Sequence, residues 1–371
     1  MSKKALWAQV LTFLIFVGAF FAINLLTPER GFSEQENRTL QTRPKFTLSA
    51  LFSGSFSSQY EDYVTDQFAL RDDWISLKAR LELLSGKGKN NGIYLCENET
   101  LIEGFSAPDE SSLGEKLDSL NELCQNTDAD VYFALIPSAA EIWRGKLPSG
   151  AENDSQRELI DAAYAAADAE TVDIYSSLAA HSAENIFYRT DHHWTTLGAY
   201  YGYCALADAM GFSPVSLSEY TPTVVTDEFF GTTWSSSGFS WVSPDSITTY
   251  VEQGNVKITN YPYGSPEQGQ LYDSEYLSKK DKYSYFYGGN TPLLETDTGS
   301  EGESLLIIRD SYMDSLSPYL FPHFSHISIL DLRYYKTSLA DFIAQNSFDS
   351  ILVCYSVPNF STDMNLFLLG L

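Results

Sequence analysis

The chain is organised around the stretch Tyr188-Arg-Thr-Asp-His-His-Trp-Thr-Thr-Leu-Gly198. Two of the five histidines of the chain, His192 and His193, stand here beside the carboxylate of Asp191. Thr195 has the character of a helix N-cap, because an apolar stripe of helical period begins directly after it. The histidines are therefore expected on the loop before a helix N-terminus. That is a suitable place to hold an imidazole, and the partner it needs is a nucleophile.

The composition is that of a folded, acidic protein. The chain has 371 residues and is 44% hydrophobic, which allows two domains or one domain with a sizeable insertion. Its net charge of −26 argues against nucleic-acid binding, because there is no basic surface to neutralise phosphates. The acidic balance fits a soluble face exposed outside a cell.

An apolar segment near the N-terminus predicts a membrane anchor. Residues 5–26 follow Lys3 and Lys4, and at about 1.5 Å per residue they are long enough to span a bilayer. The positive flank predicts a cytoplasmic tip at residues 1–4, with the remaining chain on the other side of the membrane. A weak pattern of small residues around Ala22 leaves a cleaved signal peptide as the alternative.

The rest of the chain divides by pattern into four regions. We expect a connector at 27–54, a helical segment packed on the core at 55–90, an α/β domain at 91–212 and 301–371, and a β-rich insertion at 213–300. The helical segment is predicted to be two helices broken near Phe68-Ala-Leu-Arg71, with an apolar stripe buried against the main domain. In the α/β domain, strands alternate with helices, which predicts a mostly parallel sheet covered on both faces.

The cysteines are mostly interpreted as core residues. Cys124, Cys204 and Cys354 lie in apolar patterns and are expected to be small buried side chains. A disulfide between Cys96 and Cys124 stays open as an alternative for a domain outside the cytoplasm.

Ser311 is the best candidate for the nucleophile. It follows the continuous apolar run Ser304-Leu-Leu-Ile-Ile308, a predicted buried strand, and is expected at the strand's C-terminal end, where ligands of parallel sheets bind. A serine needs a base to take its proton and a carboxylate to orient that base, roles that His193 and Asp191 can fill. Asn359, after the last strand, is a candidate donor to an oxyanion.

Several alternatives remain open at this stage. Asp310 is a second candidate for the orienting acid, and a serine after a strand can simply cap a helix. An Asp-His-His cluster can also bind a metal ion, but the other histidines have no ligand-like spacing to it, so neither metal nor cofactor is expected. The segment 229–238 either lines a cleft or packs the insertion. Further candidates for oxyanion or substrate binding are Tyr312, Arg333 and Trp234.

These blocks resemble a known family. Asp191-His-His-Trp194 matches the motif of the bacterial DHHW proteins, and Asp310-Ser311-Tyr312 resembles the nucleophile block of the SGNH, or GDSL-type, hydrolases. The chain is also similar to the anchored periplasmic O-acetyltransferases of alginate biosynthesis, in which the Asp-x-His-Trp block likewise precedes the serine. Further similarities extend the resemblance from about residue 34 onward; they are Glu36-Asn-Arg38, Asp66-Gln-Phe-Ala-Leu-Arg71 and the strand ending at Pro137.

The resemblance implies an SGNH-hydrolase-like three-layer α/β/α sandwich with a permuted motif order. It also implies that Ser311 is the nucleophile, His193 the general base, Asp191 the orienting acid and Asn359 the oxyanion asparagine. The chain departs from the GDSL pattern in having Arg309 where that pattern has glycine. It has one residue between Asp and His instead of two, which favours the acetyltransferase branch over ordinary esterases.

The expected function is therefore O-acetylation of a cell-surface or secreted polysaccharide by an enzyme anchored in the membrane. By resemblance, the acetyl group would come through a multi-pass membrane-bound O-acyltransferase partner. Two other functions stay open: a carbohydrate or peptidoglycan acetylesterase that uses water as the acceptor, and a non-catalytic glycan-binding or scaffold subunit.

Overall fold

The structure is a computed structural model that describes residues 2–370. The helices are α1 Lys3–Leu26, α2 Leu48–Phe52, α3 Ser55–Asp66, α4 Arg71–Leu84, α5 Glu110–Gln125, α6 Ala139–Ile142, α7 Gln156–Ala166, α8 Ile174–Ala180, α9 Thr196–Met210, α10 Thr232–Ser237, α11 Met313–Leu316, α12 Leu339–Asn346 and α13 Val357–Thr362. The strands are β1 Phe32–Ser33, β2 Arg38–Thr39, β3 Lys89–Asn90, β4 Ile93–Leu95, β5 Leu101–Glu103, β6 Asp130–Ile136, β7 Glu170–Val172, β8 Thr223–Phe229, β9 Asp245–Thr249, β10 Lys257–Asn260, β11 Glu267–Gln268, β12 Leu293–Asp297, β13 Glu303–Arg309, β14 Phe324–Leu330 and β15 Ser350–Ser356.

The chain forms two compact units. The smaller unit comprises Met1–Asn90 with Ser235–Ser240, and the larger unit comprises Asn91–Trp234 with Trp241–Leu371. The predicted break between two helices in the smaller unit is confirmed, because α3 ends at Asp66 and α4 begins at Arg71. Leu70 has the left-handed φ of +59°, which interrupts the helix between them.

A network of charges ties the smaller unit together. Arg38 donates two hydrogen bonds to the carboxylate of Asp66, at 3.0 and 2.5 Å, and the backbone N–H of Gln41 donates a third at 2.8 Å. Arg71 pairs with both carboxylate oxygens of Glu36. The Glu-Asn-Arg and Asp-to-Arg blocks singled out in the sequence are therefore the two halves of one ion-pair network.

The apolar stripe of α4 is a correction to the sequence-based expectation. Trp74, Leu77, Leu81 and Leu84 recur at helical spacing and were expected to be buried, yet they are 40%, 43%, 55% and 83% exposed. Helical period predicts that apolar residues share a face, but it does not identify what covers that face.

The larger unit is built on a sheet of eight strands in the order β11-β10-β12-β14-β13-β15-β6-β7. The five strands from β14 to β7 are parallel to one another, as the alternation of strands and helices predicts. The other three strands, all from residues 213–300, extend the same sheet with antiparallel pairing. Much of the β-rich segment therefore continues the central sheet, while β8 and β9 pair separately.

Side chains on the two faces of the sheet enter two different cores. Along β13, Leu305 and Ile307 point into one core, and Leu306 and Ile308 point into the other, following the period of two of a strand. The first core includes side chains of α8 and α9, and the second includes side chains of α5, α7 and α12. The expected three-layer α/β/α sandwich is therefore confirmed.

Two local features are decided by the structure. After Ser311, α11 gives way to a 3-10 turn at Ser317–Leu320, where Pro318 has no N–H for an α-helical bond. A Cys96–Cys124 disulfide is not formed, since all four cysteines carry free thiols. Burial raises the pKa of the Cys96 thiol to about 11, so this thiol stays protonated near neutral pH.

Candidate active site

Ser311 lies in the tight turn between β13 and α11, at the C-terminal edge of the parallel strands, and it is half-buried. The turn is fixed by the buried carboxylate of Asp310. This carboxylate accepts hydrogen bonds from the backbone N–H of Tyr312 at 3.0 Å, from the N–H and hydroxyl of Ser356 at 2.9 and 2.7 Å, and from the side-chain amide of Asn359 at 2.7 Å. Asp310 therefore ties the serine turn to the end of β15.

His193 joins this serine to the Asp191 carboxylate. Its Nε2 lies 2.8 Å from Ser311 Oγ, and its Nδ1 lies 2.5 Å from Asp191 Oδ1. Asp191 Oδ1 also accepts the backbone N–H of His193 at 3.0 Å. Of the two acids that the sequence offered as partners of the base, Asp191 is the one in contact with the imidazole, while Asp310 serves the serine turn.

The Asp191 carboxylate is buried and fully engaged. Its Oδ2 accepts the backbone N–H of Thr232 at 2.8 Å and the Thr232 hydroxyl at 3.0 Å. Burial opposes ionisation, but attraction by His192 and His193, together with these hydrogen bonds, holds the pKa of Asp191 well below its usual range. The residue is therefore an anion throughout the physiological range, as an orienting carboxylate requires.

His192 has different surroundings from His193. Its Nδ1 lies 2.6 Å from Thr232 Oγ1, and its backbone carbonyl accepts the Tyr312 hydroxyl. Desolvation, followed by the repulsion of neighbouring His193, lowers the pKa of His192 to about 4. This histidine is therefore neutral near pH 7 and helps to hold the loop and Tyr312 in place.

Trp194 fastens the histidine loop to the serine turn. The indole is fully buried, and its Nε1 donates to the Tyr312 carbonyl at 2.9 Å and to Ser315 Oγ at 3.1 Å. Thr195 caps α9 through a hydrogen bond from the Gly198 N–H, as its sequence context predicts. Each residue of the Asp-His-His-Trp block thus has its own contact with the site.

Tyr283 completes the site from a segment that the sequence analysis did not single out. Its ring is stacked on the His193 imidazole, with centroids 3.8 Å apart and planes 7° apart. Its hydroxyl donates to the Ser311 carbonyl and to Ser315 Oγ, both at 3.2 Å. Tyr283 therefore contacts the base through its ring and the nucleophile turn through its hydroxyl.

The other sequence candidates occupy different positions. Asn359 is half-buried in α13 and donates its amide to Asp310. Arg333 makes a two-pronged ion pair with the buried Asp331, at 2.9 and 2.6 Å. Trp234 lies against Lys280, whose Nζ is 4.5 Å from the centre of the indole ring.

A cleft of about 540 Å³ opens beside the triad. Its walls include Asp191, His192, Tyr312 and Asn359. The remaining walls combine polar and apolar side chains. The polar ones include Glu103, Ser106, Ser138, Thr233, Ser361 and Thr362, and the apolar ones include Leu101, Ile102, Phe105, Ala139, Ala140 and Pro358. The cleft reaches Asp191 and Tyr312, the neighbour of Ser311 in the chain, while Ser311 and His193 are not among its lining residues. Its mixed apolar and hydroxyl lining suits a ligand such as a sugar, which has surfaces of both kinds.

The same residues were also considered as ligands of a metal ion. Asp191, His192 and His193 offer ligand atoms that lie within 4.8 Å of one another. However, both ring nitrogens of His193 have protein partners, and His192 Nδ1 is bound to Thr232. This donor set is arranged for proton transfer between a serine and a base.

Sequence reasoning named Asp191, His193 and Ser311, which the structure brings within hydrogen-bonding distance of one another, but it missed the two residues that contact them, Thr232 and Tyr283. Thr232 lies within the segment 229–238 that was considered for a cleft wall, so its region carried a signal. Tyr283 comes from residues 213–300, which have no helical period, and nothing in the local pattern distinguishes it from the other tyrosines of that segment.

Comparison with solved structures places this fold among known ones. A DHHW family protein from Eubacterium siraeum is 24% identical, with 76% of this chain and 95% of that chain covered and a TM-score of 0.65. Bacillus cereus PatB1 is similar both with a sulfonyl adduct (22% identity, 74% and 97% covered, TM-score 0.62) and without it (21%, 74% and 98%, TM-score 0.59).

No curated protein sequence matches the chain. The family model described as "DHHW protein" matches residues 106–330, which is more than half of the chain and includes both the histidine loop and Ser311. The chain therefore belongs to the DHHW protein family.

Proposed function

We propose that this protein is a membrane-anchored O-acetyltransferase that acetylates a cell-surface or secreted polysaccharide outside the cytoplasm. The main support is the hydrogen-bonded line from Asp191 Oδ1 to His193, at 2.5 Å, and from His193 to Ser311 Oγ, at 2.8 Å. Such a line activates a serine for attack on a carbonyl carbon. The sequence resemblance to anchored O-acetyltransferases adds the reaction class and the acceptor class.

The reaction has two acyl-transfer steps. Ser311 Oγ attacks the carbonyl carbon of an acetyl donor, and His193 Nε2 takes the hydroxyl proton and passes it to the departing group. The products are an acetyl-serine and the free donor. In the second step His193 takes the proton of a sugar hydroxyl, whose oxygen attacks the acetyl carbon. The sugar ester leaves, and His193 returns the proton to Ser311.

The anchor is assigned to α1. Within residues 2–370, α1 is the one helix long and apolar enough to cross a membrane. Lys3 and Lys4 at its start favour the cytoplasmic side for the N-terminus and the opposite side for the triad. The acetyl group would then cross the membrane through a multi-pass O-acyltransferase partner, as the sequence resemblance implies.

Removal of the nucleophile tests the proposal directly. We expect Ser311→Ala to lose acetyl transfer to a neutral oligosaccharide by roughly 10³-fold or more, with the circular dichroism spectrum unchanged. The measurement is mass spectrometry of the acceptor after incubation with an activated acetyl ester. Ser58→Ala, which changes an exposed serine of α3 that does not line the cleft, is the matched control and should remain active. Unchanged acetylation by Ser311→Ala would refute the proposal.

The same assay separates the alternative functions. An acetylesterase would release acetate at the same rate with or without the oligosaccharide, and it would consume an acetylated sugar in preference to a free one. A scaffold subunit would not react with a fluorosulfonyl reagent. We expect covalent labelling by that reagent that requires both Ser311 and His193.

A further inference from the structure

Helix α4 carries an exposed apolar stripe. Trp74, Leu77, Leu81 and Leu84 follow one another at spacings of three and four residues, so their side chains share one face of the helix. All four are at least 40% exposed, and Leu84 is 83% exposed. A contiguous apolar stripe of this length in contact with water is unfavourable, and in proteins such surfaces mark an interaction site.

The start of α4 is joined to the candidate membrane helix α1 within the same compact unit. The Phe20 ring lies 5.8 Å from the Phe68 ring and 5.7 Å from the Trp74 ring, measured between centroids. Asn24 Oδ1 accepts the backbone N–H of Ala69 at 2.8 Å. The turn before α4 and its first residues therefore pack along the side of α1.

These contacts fix a depth along α1. The helix has 24 residues and a length of about 36 Å, slightly more than the hydrocarbon core of a bilayer. Phe20 precedes the last helical residue, Leu26, by six positions, which corresponds to about 9 Å along the axis. When α1 is centred in a bilayer whose hydrocarbon core is about 30 Å thick, Phe20 lies about 6 Å inside the edge of that core. The Phe68 and Trp74 rings that contact it therefore lie just below the boundary between acyl chains and headgroups. Aromatic residues favour this boundary.

The charges at the start of α4 have partners that reduce the cost of this location. Asp72 accepts hydrogen bonds from both terminal nitrogens of Arg30, at 2.8 and 3.2 Å, and Arg71 pairs with Glu36. Further along the helix, Glu82 pairs with Lys87 at 3.1 Å. Paired charges are less costly than isolated ones to bring close to the acyl chains.

We infer that α4 lies in the outer interface of the membrane, with the stripe of Trp74, Leu77, Leu81 and Leu84 facing the acyl chains. The occupant of this face is lipid, because α1 itself passes into the bilayer beside Trp74. The inference rests on the membrane anchor of the proposed function and is independent of the acetyl-transfer chemistry. The protein is thereby held at the surface by two elements, one spanning and one interfacial.

Site-directed fluorescence on the full chain in lipid nanodiscs tests this inference. In a background with the four native cysteines replaced by alanine, an environment-sensitive dye is placed by Val17→Cys, Leu77→Cys, Leu81→Cys or Lys87→Cys. We expect blue-shifted emission from the dye at Leu77 and Leu81, with quenching by nitroxide lipids labelled near the headgroup. The dye at Val17 should be quenched by nitroxides near the acyl-chain ends, and the dye at Lys87 should report water.

Variants of the stripe provide the second arm. In this arm the dye is attached at Leu84→Cys. The double variant Leu77→Glu with Leu81→Glu should abolish the quenching of this dye by lipid nitroxides. The control, Lys78→Ser with Glu82→Ser, removes two opposite charges of the same helix, keeps the stripe and should keep the quenching.

Water-like emission at both stripe positions while Val17 is quenched would overturn the inference. Blue-shifted emission that lipid nitroxides do not quench would also overturn it, because a protein partner would then cover the stripe. Absence of quenching at Val17 would remove the anchor and the inference together.

Discussion

Gly231 lies against the Asp191 side chain, and a Cβ built on it would fall 2.2 Å from Asp191 Cβ and 2.3 Å from Asp191 Oδ2. Both distances are far below a van der Waals contact, so a methyl group here must displace the carboxylate or the loop. Because Asp191 holds the His193 imidazole through a hydrogen bond of 2.5 Å, a displacement of the carboxylate is transmitted to the base. The glycine at this position is a requirement of the triad.

We therefore expect Gly231→Ala to slow covalent labelling of Ser311 by about 10²-fold, the effect of moving a catalytic group by about 1 Å. The measurement is the labelling rate with a fluorosulfonyl reagent. Gly114→Ala is the matched control, because its Cβ would meet open space on a helix surface and alanine favours helix. Equal labelling rates for Gly231→Ala and wild type would show that the triad tolerates the displacement.

Tyr283 allows its two contacts to be separated. Tyr283→Phe keeps the ring on His193 and removes the hydroxyl from the Ser311 carbonyl and Ser315, a loss of about 1 kcal/mol, or roughly fivefold in acetyl-transfer rate. Tyr283→Leu also removes the stacked ring, worth about 1 kcal/mol more, for a total of roughly 30-fold. Steady-state acetyl-transfer rates measure both. Identical rates in the two variants would mean that the stacked ring has no part in positioning the base.

At the scale of secondary-structure elements, the Asp66 carboxylate links α3 to the segment around Arg38 and Gln41. The hydrogen bond from Arg38 is the main cause that lowers the pKa of Asp66. A lowered folded-state pKa means that the ionised carboxylate stabilises the fold above its unfolded pKa of about 3.9, and that this contribution is lost as pH falls through the folded-state value.

Asp66→Asn should therefore destabilise the smaller unit by about 2 kcal/mol at pH 7, the worth of hydrogen bonds to a charged group. The difference from wild type should shrink as pH falls below about 4, because the carboxylate of the unfolded chain takes up a proton there and the folded one does so at a lower pH. Hydrogen exchange of the α3 and α4 amides, compared at equal pH, measures both effects. Asp62→Asn, an exposed carboxylate one turn earlier in α3, is the control and should match wild type. A difference that persists unchanged at pH 3 would contradict the electrostatic explanation.

The elements of the parallel sheet were predictable because burial on both faces leaves a clear pattern. β13 and β15 are continuous apolar runs, so both were recognisable as buried strands. The places of Ser311 after β13 and of the histidine loop before α9 could then be predicted, because both stand at the end of an element. The segment 213–300 was predicted to be β-rich, but the pairing of β10, β11 and β12 could not be assigned, since a pattern rich in Thr and Tyr does not specify which sheet edge a strand joins. Thr232 and Tyr283 also belong to residues 213–300, and they contact Asp191 and His193, which are distant in the sequence. Such long-range contacts leave no signal in the local pattern.

At the scale of the whole molecule, the charge distribution bears on which acceptor is used. The chain has 49 acidic and 23 Lys or Arg residues, for a net charge of −26. The described walls of the cleft include the carboxyl groups of Asp191 and Glu103 and no lysine or arginine. An anionic polymer would approach a surface and a cleft of its own sign, and this repulsion raises the effective concentration needed for binding. Neutral or amine-bearing glycans meet no such barrier.

The expected result is a salt dependence that differs between acceptors. For an oligouronate, the KM should fall several-fold as ionic strength rises from about 0.01 M to 0.15 M, because the screening length falls from about 30 Å to about 8 Å. For a neutral oligosaccharide of equal length, the KM should stay constant and should be the lower of the two at low salt.

Glu103→Gln removes the local charge and should lower the oligouronate KM at low salt while leaving the KM for the neutral acceptor unaffected. A KM for the oligouronate that rises with salt would instead indicate attraction to a basic surface. Such attraction would mean that a local patch on this acidic protein, and not its overall charge, selects the acceptor.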